Sequence, residues 1–597
     1  MTNRRLNLHY LGLAGAIALG TILRCWHLGL KPLWMDEVIT AIFSLGKNYD
    51  DLPLNVLFPL NHLHEIFTFQ PGVSCNQIAE NVATQSTHPP LFFCGMHIWL
   101  GWMLPLGEEW VEKLRSLPTL LGVCAIAAIY GVNRISFSKA SGTLAAAIMA
   151  VSPFAVYLSQ EARHYTMPML LITLALLGLM QIQRDIFEQE SEGLASRTRL
   201  RFWVWLLWAI INIIGLYVHY FFALAFIAEI FTLLVVIYLL RANIQIKRQI
   251  LLALIVFTSS VVISFTPWLL VISNHVQRSE TNWLPSPNYI APLYQTLISW
   301  VLMVIALPVE NQPLPIAVIY GLSMVSFATL LGWHVFNGLK LLWLKDTTYL
   351  ATLTLLSFTF FVLVQFFFIV YFLKKDITIV PRYSFVYYPS FCALLAASLG
   401  NIQNYHSHSV LNRKSSDRQK PPLQLSSKYI LLVVGIISCI FVVSNLVFQK
   451  PFQPNIVAQK MNLEPSVPLM LVVKYSNYQD VALGLSFGLA LEKLRSQSLS
   501  REFKIDQSNR MNSLINSDSV VFLQQSSNLT TIWNKLSQLP SLGLSRLNLW
   551  IVASGLKRRD YPQHLQLSQQ TTCNIDTNQY YRIGVPYQLY RCSKFGS

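Results

Sequence analysis

The chain has 597 residues, with 44 Lys and Arg against 28 Asp and Glu, a formal net charge of +16. Charged residues make up 12% and hydrophobic residues 53%, with 15 Trp, 25 Tyr and 34 Phe, against roughly 25% charged residues in soluble domains. That composition excludes a disordered chain, which needs low hydrophobicity, and an ordinary soluble enzyme, whose core cannot hide so many apolar runs about twenty residues long. The basic residues are scattered in short loops and form no stripe with interleaved aromatics, so nucleic acid is not the expected partner. Short basic segments between apolar runs are the pattern of a polytopic α-helical membrane protein.

In chain order, Arg4 and Arg5 precede an apolar run over 11–30 that contains Arg24 and has no small-residue cleavage site. It reads as an uncleaved first span with the N-terminus in the cytoplasm. A long polar loop, 31–112, follows. Further apolar runs lie near 114–132, 140–158, 166–182, 202–218, 221–240, 250–272, 314–337, 349–373, 384–400 and 429–449. Two more runs, 90–106 and 289–308, are ambiguous, and loop charge decides them. If neither crosses, Arg134, Lys139, Arg184–Arg201, Arg241–Arg248, Lys340, Lys345 and Arg413–Lys428 share one side with Arg4 and Arg5. The prediction is therefore about eleven crossings, with 90–106 and 289–308 lying in the outer interface. Pro89 and Pro90 suit a helix start.

Residues 402–428 read as a solvated cytoplasmic linker. After Phe448 comes a polar tail with strand-like runs at Pro468–Lys474, Ser519–Leu523, Asn548–Ala553, Tyr581–Val585 and Gln588–Cys592. Helix-like stretches at Asp480–Arg495 and Leu529–Leu536 alternate with them, predicting a small α/β domain. The expected division is a bundle over 1–450, including the outer loop, and an extracytoplasmic domain over 451–597. Of eight cysteines, Cys25, Cys124, Cys392 and Cys439 lie in apolar runs and read as core residues. Cys573 and Cys592 flank the last strands, and a disulfide there is compatible with a compartment outside the cytosol.

Acidic residues are rare, so their placement carries information. Asp36 and Glu37 follow the first span closely, after Trp34, a residue type that anchors at headgroup level. Two readings of the pair are open: an acidic helix N-terminus favoured by the macrodipole, or carboxylates at the lipid headgroup plane. Other polar residues fall on the same predicted side. They are Thr87-His88-Pro89-Pro90, Gln160-Glu161, Arg163-His164-Tyr165, His219-Tyr220, His275, Arg278, Lys374, Lys375 and Arg382. Each alone reads as a turn residue or a snorkelling cation. Together they would make a site for an anionic headgroup with acid/base capacity. Glu229 lies mid-span, where an ionisable group is a functional hypothesis by default.

Trp34-Met35-Asp36-Glu37, Thr87-His88-Pro89-Pro90-Leu91-Phe92, Leu114-Arg115-Ser116-Leu117-Pro118 and the run Ser152–Tyr165 resemble the GT-C glycosyltransferase superfamily. The resemblance is to the branch similar to protein O-mannosyltransferases and the lipid A aminoarabinose transferase. Tyr217–Phe221 and Pro381–Pro389 look like the same branch, and the resemblance covers roughly residues 1–400. It implies an inverting sugar transfer from a polyprenyl-phosphate-sugar donor at the outer face of the cell membrane. The acceptor, whether protein, lipid or glycan, stays open. Carried over by position, Asp36 is the catalytic carboxylate, Glu37 its neighbour in the motif, and Glu161 the second acidic residue. A divalent metal ion held by Asp36 and Glu161 is one way to neutralise the leaving phosphate. The residues expected to contact substrate are His88, Glu161, Arg163, Tyr165, His219, Tyr220, Arg278 and Arg382, the arginines facing phosphate because a planar guanidinium fork bonds two oxygens. Where the aminoarabinose transferases carry Glu-Lys-Pro, this chain has Thr87-His88-Pro89, which favours a mannosyltransferase-like or unassigned branch. The competing reading is a transporter or flippase for a lipid-linked sugar, a class that shows internal repeats and midplane charges. No repeat is visible here.

Overall fold

The computed structural model of the chain describes residues 2–107, 109–191, 201–239, 244–276, 283–411, 427–502, 517–525, 530–540, 543–567 and 571–594. The chain divides into two compact units. One comprises 1–28, 87–92 and 115–448; the other comprises 29–86, 93–114 and 449–597. The first outer loop thus belongs with the C-terminal segment.

The first unit is helical. Every one of the eleven expected spans falls on a helix or a helix pair. Among the described residues six helices are long and apolar enough to cross a membrane: Trp110–Ser136, Thr166–Phe187, Phe222–Leu239, Lys247–His275, Leu314–Leu344 and Asp346–Tyr371. A seventh is the pair Lys139–Ala150 and Pro153–Ser159, bent by 60°. The bend has a local cause. Pro153 cannot continue the preceding helix, and Ser152 sits extended (φ −70°, ψ 120°) and caps the new one through Ala155 N at 3.4 Å. Helices at His9–Cys25, Phe202–Val218, Tyr388–Gly400 and Ser427–Val443 are apolar but shorter. The ambiguous runs form Leu91–Trp102 and Ala291–Val304, of 12 and 14 residues. At 1.5 Å per residue both fall well short of a hydrocarbon core of about 30 Å. Apolar side chains such as Val256, Ile263 and Leu270 stay exposed, 61%, 69% and 74%, as a lipid-facing stripe requires.

The interior of this unit is organised by a charge. Arg24 is buried; its guanidinium donates to Gly20 O and Ala150 O at 3.0 Å, Met149 O at 2.9 Å and Ser159 Oγ at 3.1 Å. It thereby satisfies carbonyls exposed by the break at Val151–Ser152. Gln160 Nε2 donates to Trp26 O at 2.8 Å, and Thr119 Oγ1 to Ser159 O at 3.0 Å. Gly122 is required beside this knot, since a Cβ there would lie 2.1 Å from Ser159 Oγ. Glu229, which the sequence left unassigned, accepts from Trp208 Nε1 at 2.7 Å and Asn212 Nδ2 at 3.1 Å on one carboxylate oxygen.

The second unit is built on a seven-stranded sheet. Its strands are β1 (Phe58–Pro59), β2 (Leu469–Tyr475), β3 (Ser519–Gln524), β4 (Arg546–Ala553), β5 (His564–Gln566), β6 (Thr571–Ile583) and β7 (Val585–Lys594). They are ordered β1-β3-β2-β4-β7-β6-β5. β2 pairs parallel with β3 and β4, with crossovers carrying helices Tyr478–Glu502 and Thr530–Ser537. β2 is buried along its whole length, which explains its continuous apolar run. The strand expected over Tyr581–Val585 is instead the end of β6, a turn at Gly584 (φ 76°) and the start of β7. Gly584 takes the left-handed backbone at no steric cost. β1 comes from the outer loop and pairs antiparallel with β3. Cys573 and Cys592 form a disulfide between β6 and β7, and Cys75–Cys94 form a second that the spacing did not foretell.

Candidate active site

The sequence-selected residues divide between the two units. In the first unit, the turn after Pro153–Ser159 is held by Gln160 and Ser159 as above, and it carries Glu161, Arg163 and His164, all buried. Arg163 Nη2 donates to His88 Nε2 at 3.1 Å. Arginine has no acceptor, so His88 is neutral with its proton on Nδ1. Phe221 N donates to His219 Nδ1 at 2.9 Å, which makes His219 neutral as well, protonated on Nε2. The electrostatics agree. Burial, and then the charge of Arg163, holds His88 and His164 well below the usual histidine range and pushes His219 down to about 3.

His164 is the centre of this group. Its ring lies 5.0 Å from that of His88, 4.5 Å from His219 and 4.7 Å from Tyr165. Both its ring nitrogens are buried without a hydrogen-bond partner. Such groups are costly unless a ligand uses them. Tyr165 gathers the charge: the guanidiniums of Arg163 and Arg382 each lie 5.7 Å from its ring centroid, and Arg382 Nε donates to Tyr165 Oη at 3.0 Å. Tyr220 belongs to a short relay beside them. Trp268 Nε1 donates to Tyr220 Oη at 3.0 Å, and that hydroxyl shares a hydrogen bond of 2.8 Å with His275 Nδ1. Arg278 lies outside the described residues.

His164 and His275 were named in the sequence only as members of polar runs. A signal existed for His275: Trp268 and His275 are seven residues apart, two turns along one helix face. For His164 the only cue was its place between Arg163 and Tyr165.

In the second unit, Trp34 precedes a helix over Met35–Ser44, at its N-cap position but without a side-chain cap, and the first turn of that helix holds Asp36 and Glu37. The two carboxylates part company. Glu37 is buried, its Oε2 3.6 Å from Lys450 Nζ, and Lys450 in turn lies over the Trp34 ring at 5.7 Å. Asp36 is half-buried. Lys450 was missed by the sequence reading, being one basic residue just past the last apolar run. Among the described residues no group of three or more His, Cys, Asp and Glu side chains is arranged to hold a metal ion, so no step is assigned to one.

No protein-family model matches the chain, and no curated protein matches it. Solved structures similar to it include ArnT from Cupriavidus metallidurans bound to undecaprenyl phosphate, at 11% identity and a TM-score of 0.48, covering 98% of this chain and 97% of that one. ArnT is the lipid A aminoarabinose transferase whose branch the motifs resemble. They also include the archaeal oligosaccharyltransferase AglB from Archaeoglobus fulgidus, in complex with an inhibitory peptide and a dolichol-phosphate, at 12% identity and a TM-score of 0.43. That match covers 81% of this chain, which spans 64% of the oligosaccharyltransferase.

Proposed function

We propose that this chain is an integral membrane glycosyltransferase that moves a sugar, with inversion, from a polyprenyl-phosphate carrier to an acceptor on the extracytoplasmic side. The observation that carries the reading is the anion cradle of the first unit. Two guanidiniums and three neutral imidazoles, those of His164 and His219 buried, sit on turns at the ends of apolar helices. A lipid-linked phosphate puts its charge at that level. Arg163 and Arg382 supply the fixed positive charge, while neutral His88, His164 and His219 supply hydrogen bonds without adding to it.

In the proposed step an acceptor hydroxyl attacks the sugar's anomeric carbon and gives its proton to Asp36. The bond from that carbon to the phosphate oxygen breaks, and the polyprenyl phosphate leaves with the electron pair. The transition state is oxocarbenium-like, and the arginines meet the charge growing on the leaving group. Asp36 suits the base because it is the half-buried member of its pair, whereas Glu37 is engaged by Lys450. Glu161 is the second acidic residue of the proposal. Thr87-His88-Pro89, in place of Glu-Lys-Pro, supports a mannosyltransferase-like or unassigned branch over the aminoarabinose transferases. The two disulfides, both in the unit that holds Asp36, support placing that unit outside the cytosol.

The test is transfer from a synthetic polyprenyl-phosphate sugar in nanodiscs. Wild type should form a glycosidic bond, and Asp36→Asn should lose nearly all activity at unchanged expression. Full activity in Asp36→Asn would remove the base assignment. Movement of the donor lipid across a vesicle bilayer, with no bond formed by wild type, would favour the flippase reading.

A further inference from the structure

The second unit holds an open cavity of about 660 Å³ that none of the chemistry above uses. Small-molecule sites run to roughly 300–1,000 Å³. Four segments of the chain wall it, Gly29–Leu33, Glu109–Glu112 and the helices Pro454–Met461 and Tyr478–Glu502, with His64 beside them.

The wall is mixed in a particular way. Asn455, Gln459 and Gln497 carry amides that both donate and accept. The lining also holds Glu109, Glu112 and Glu492 together with Lys31 and Lys493, so neither sign dominates, and among the described residues it has no arginine fork of the kind that grips phosphate. Glu492 lies 3.6 Å from His64, and burial still pushes its carboxyl up to about 7, so near neutral pH it donates as well as accepts. Trp110 adds an aromatic face held in place by Phe67, ring centroids 5.0 Å apart and 20° from parallel. Paired donors and acceptors beside one aromatic and a few aliphatic groups match a ligand with neighbouring hydroxyls on one side and C–H bonds on the other. A strong anion or a plain hydrocarbon would leave these groups unpaired.

The cavity also shares its frame with Asp36. Its wall segment Gly29–Leu33 runs straight on to Trp34, Met35 and Asp36. Ser486 Oγ donates to Leu33 O at 2.8 Å, fastening that segment to the helix that brings Ala490 and Glu492 to the cavity. A ligand held there is thus held by the same rigid piece that carries the carboxylate. We propose that this cavity is the subsite for a saccharide portion of the acceptor, a reading that rests on the transferase function above.

The test uses full-length protein in nanodiscs and an array of neutral, amino-sugar and acidic oligosaccharides, with titration of the best binder. Two variants perturb the cavity: Ala490→Trp fills it, and Gln459→Ala removes an amide from a solvent-exposed helix position. Wild type and Asp36→Asn should bind alike, and both cavity variants about tenfold more weakly. With that saccharide as acceptor, the cavity variants should raise the acceptor KM about tenfold, with donor KM and donor hydrolysis unchanged. If Ala490→Trp does not fold, Gln459→Ala decides alone. A blank array, or wild-type binding in a folded cavity variant, overturns the subsite. Saccharide binding by wild type without any bond formation overturns the transferase reading and leaves the subsite standing.

Discussion

Lys450 Nζ approaches Glu37 Oε2 to 3.6 Å with both side chains buried, one residue along from the half-buried Asp36. The neighbouring carboxylates of one motif thus have separate duties. Glu37 ties the segment just after the first span to the segment just after the last. Asp36 is the residue proposed as the base.

Breaking that pair should cost stability, not chemistry. Lys450→Met removes the buried cation beside a buried carboxylate, and breaking a buried pair typically costs about 3–5 kcal/mol. The double variant Lys450→Met with Glu37→Gln should recover much of the loss, because two neutral groups need no partner charge. Asp36→Asn should leave Tm where it is. Thermal unfolding of the four proteins in one detergent checks this, and an unchanged Tm in Lys450→Met would refute the assignment.

The three imidazoles predict a pH dependence. His88, His164 and His219 have folded-state values below the unfolded value of about 6.5. The unfolded chain therefore takes up protons that the folded chain refuses. Their contribution to stability is complete above about pH 6.5 and declines as pH falls toward 3, where His219 protonates in the folded state. Tm should drop between pH 6.5 and 4, and His219→Gln should flatten that slope. Activity should show no inflection from these groups between pH 7 and 8. Equal slopes in wild type and His219→Gln would contradict the neutral-cradle account.

Much of this was legible in the sequence, and the reasons are local. Long apolar runs mark helices because the bilayer asks for length and apolarity, both linear properties. β2 and β4 were visible because strands buried on both faces read as continuous apolar runs. What was missed depends on partners far away in sequence. Lys450 looks like one more basic residue until Glu37, more than four hundred positions earlier, lies beside it. Cys75 and Cys94 carry no pairing signal until the loop folds. β1, two residues long, exists only because β3 has an edge to offer. The break at Val151 was readable from Ser152-Pro153, yet the apolar run passed over it without interruption.

The arginines should not tolerate lysine. Arg382 holds Tyr165 Oη through Nε at 3.0 Å, and Arg163 holds His88 through Nη2 at 3.1 Å. A lysine keeps the charge and loses the planar fork. Arg163→Lys and Arg382→Lys should each raise the donor KM about tenfold, about 1.4 kcal/mol, and leave the acceptor KM alone. Tyr165→Phe removes one hydrogen bond to Arg382 and should act in the same direction by about 1 kcal/mol. Initial-rate kinetics with donor and acceptor varied separately distinguish these outcomes. A change confined to the acceptor KM would place the arginines on the wrong substrate.

The cysteines offer a test of sidedness. The four bonded ones, Cys75, Cys94, Cys573 and Cys592, belong to the second unit, and the four free ones, Cys25, Cys124, Cys392 and Cys439, to the helical unit. Disulfides persist outside the cytosol and are reduced within it. In intact cells a membrane-impermeant maleimide should leave the second unit unlabelled, then label it after brief treatment with an impermeant reductant. Cysteines introduced singly at 107 and 311, in a background lacking the free ones, should label without any reductant. Labelling of 311 only after permeabilisation would refute the outer placement of the helix Ala291–Val304. The same result at 107 would move the second unit, and Asp36 with it, to the cytoplasmic face. A lipid-linked donor with its headgroup outside could not then reach the carboxylate, and the transfer reading would fail on topology alone.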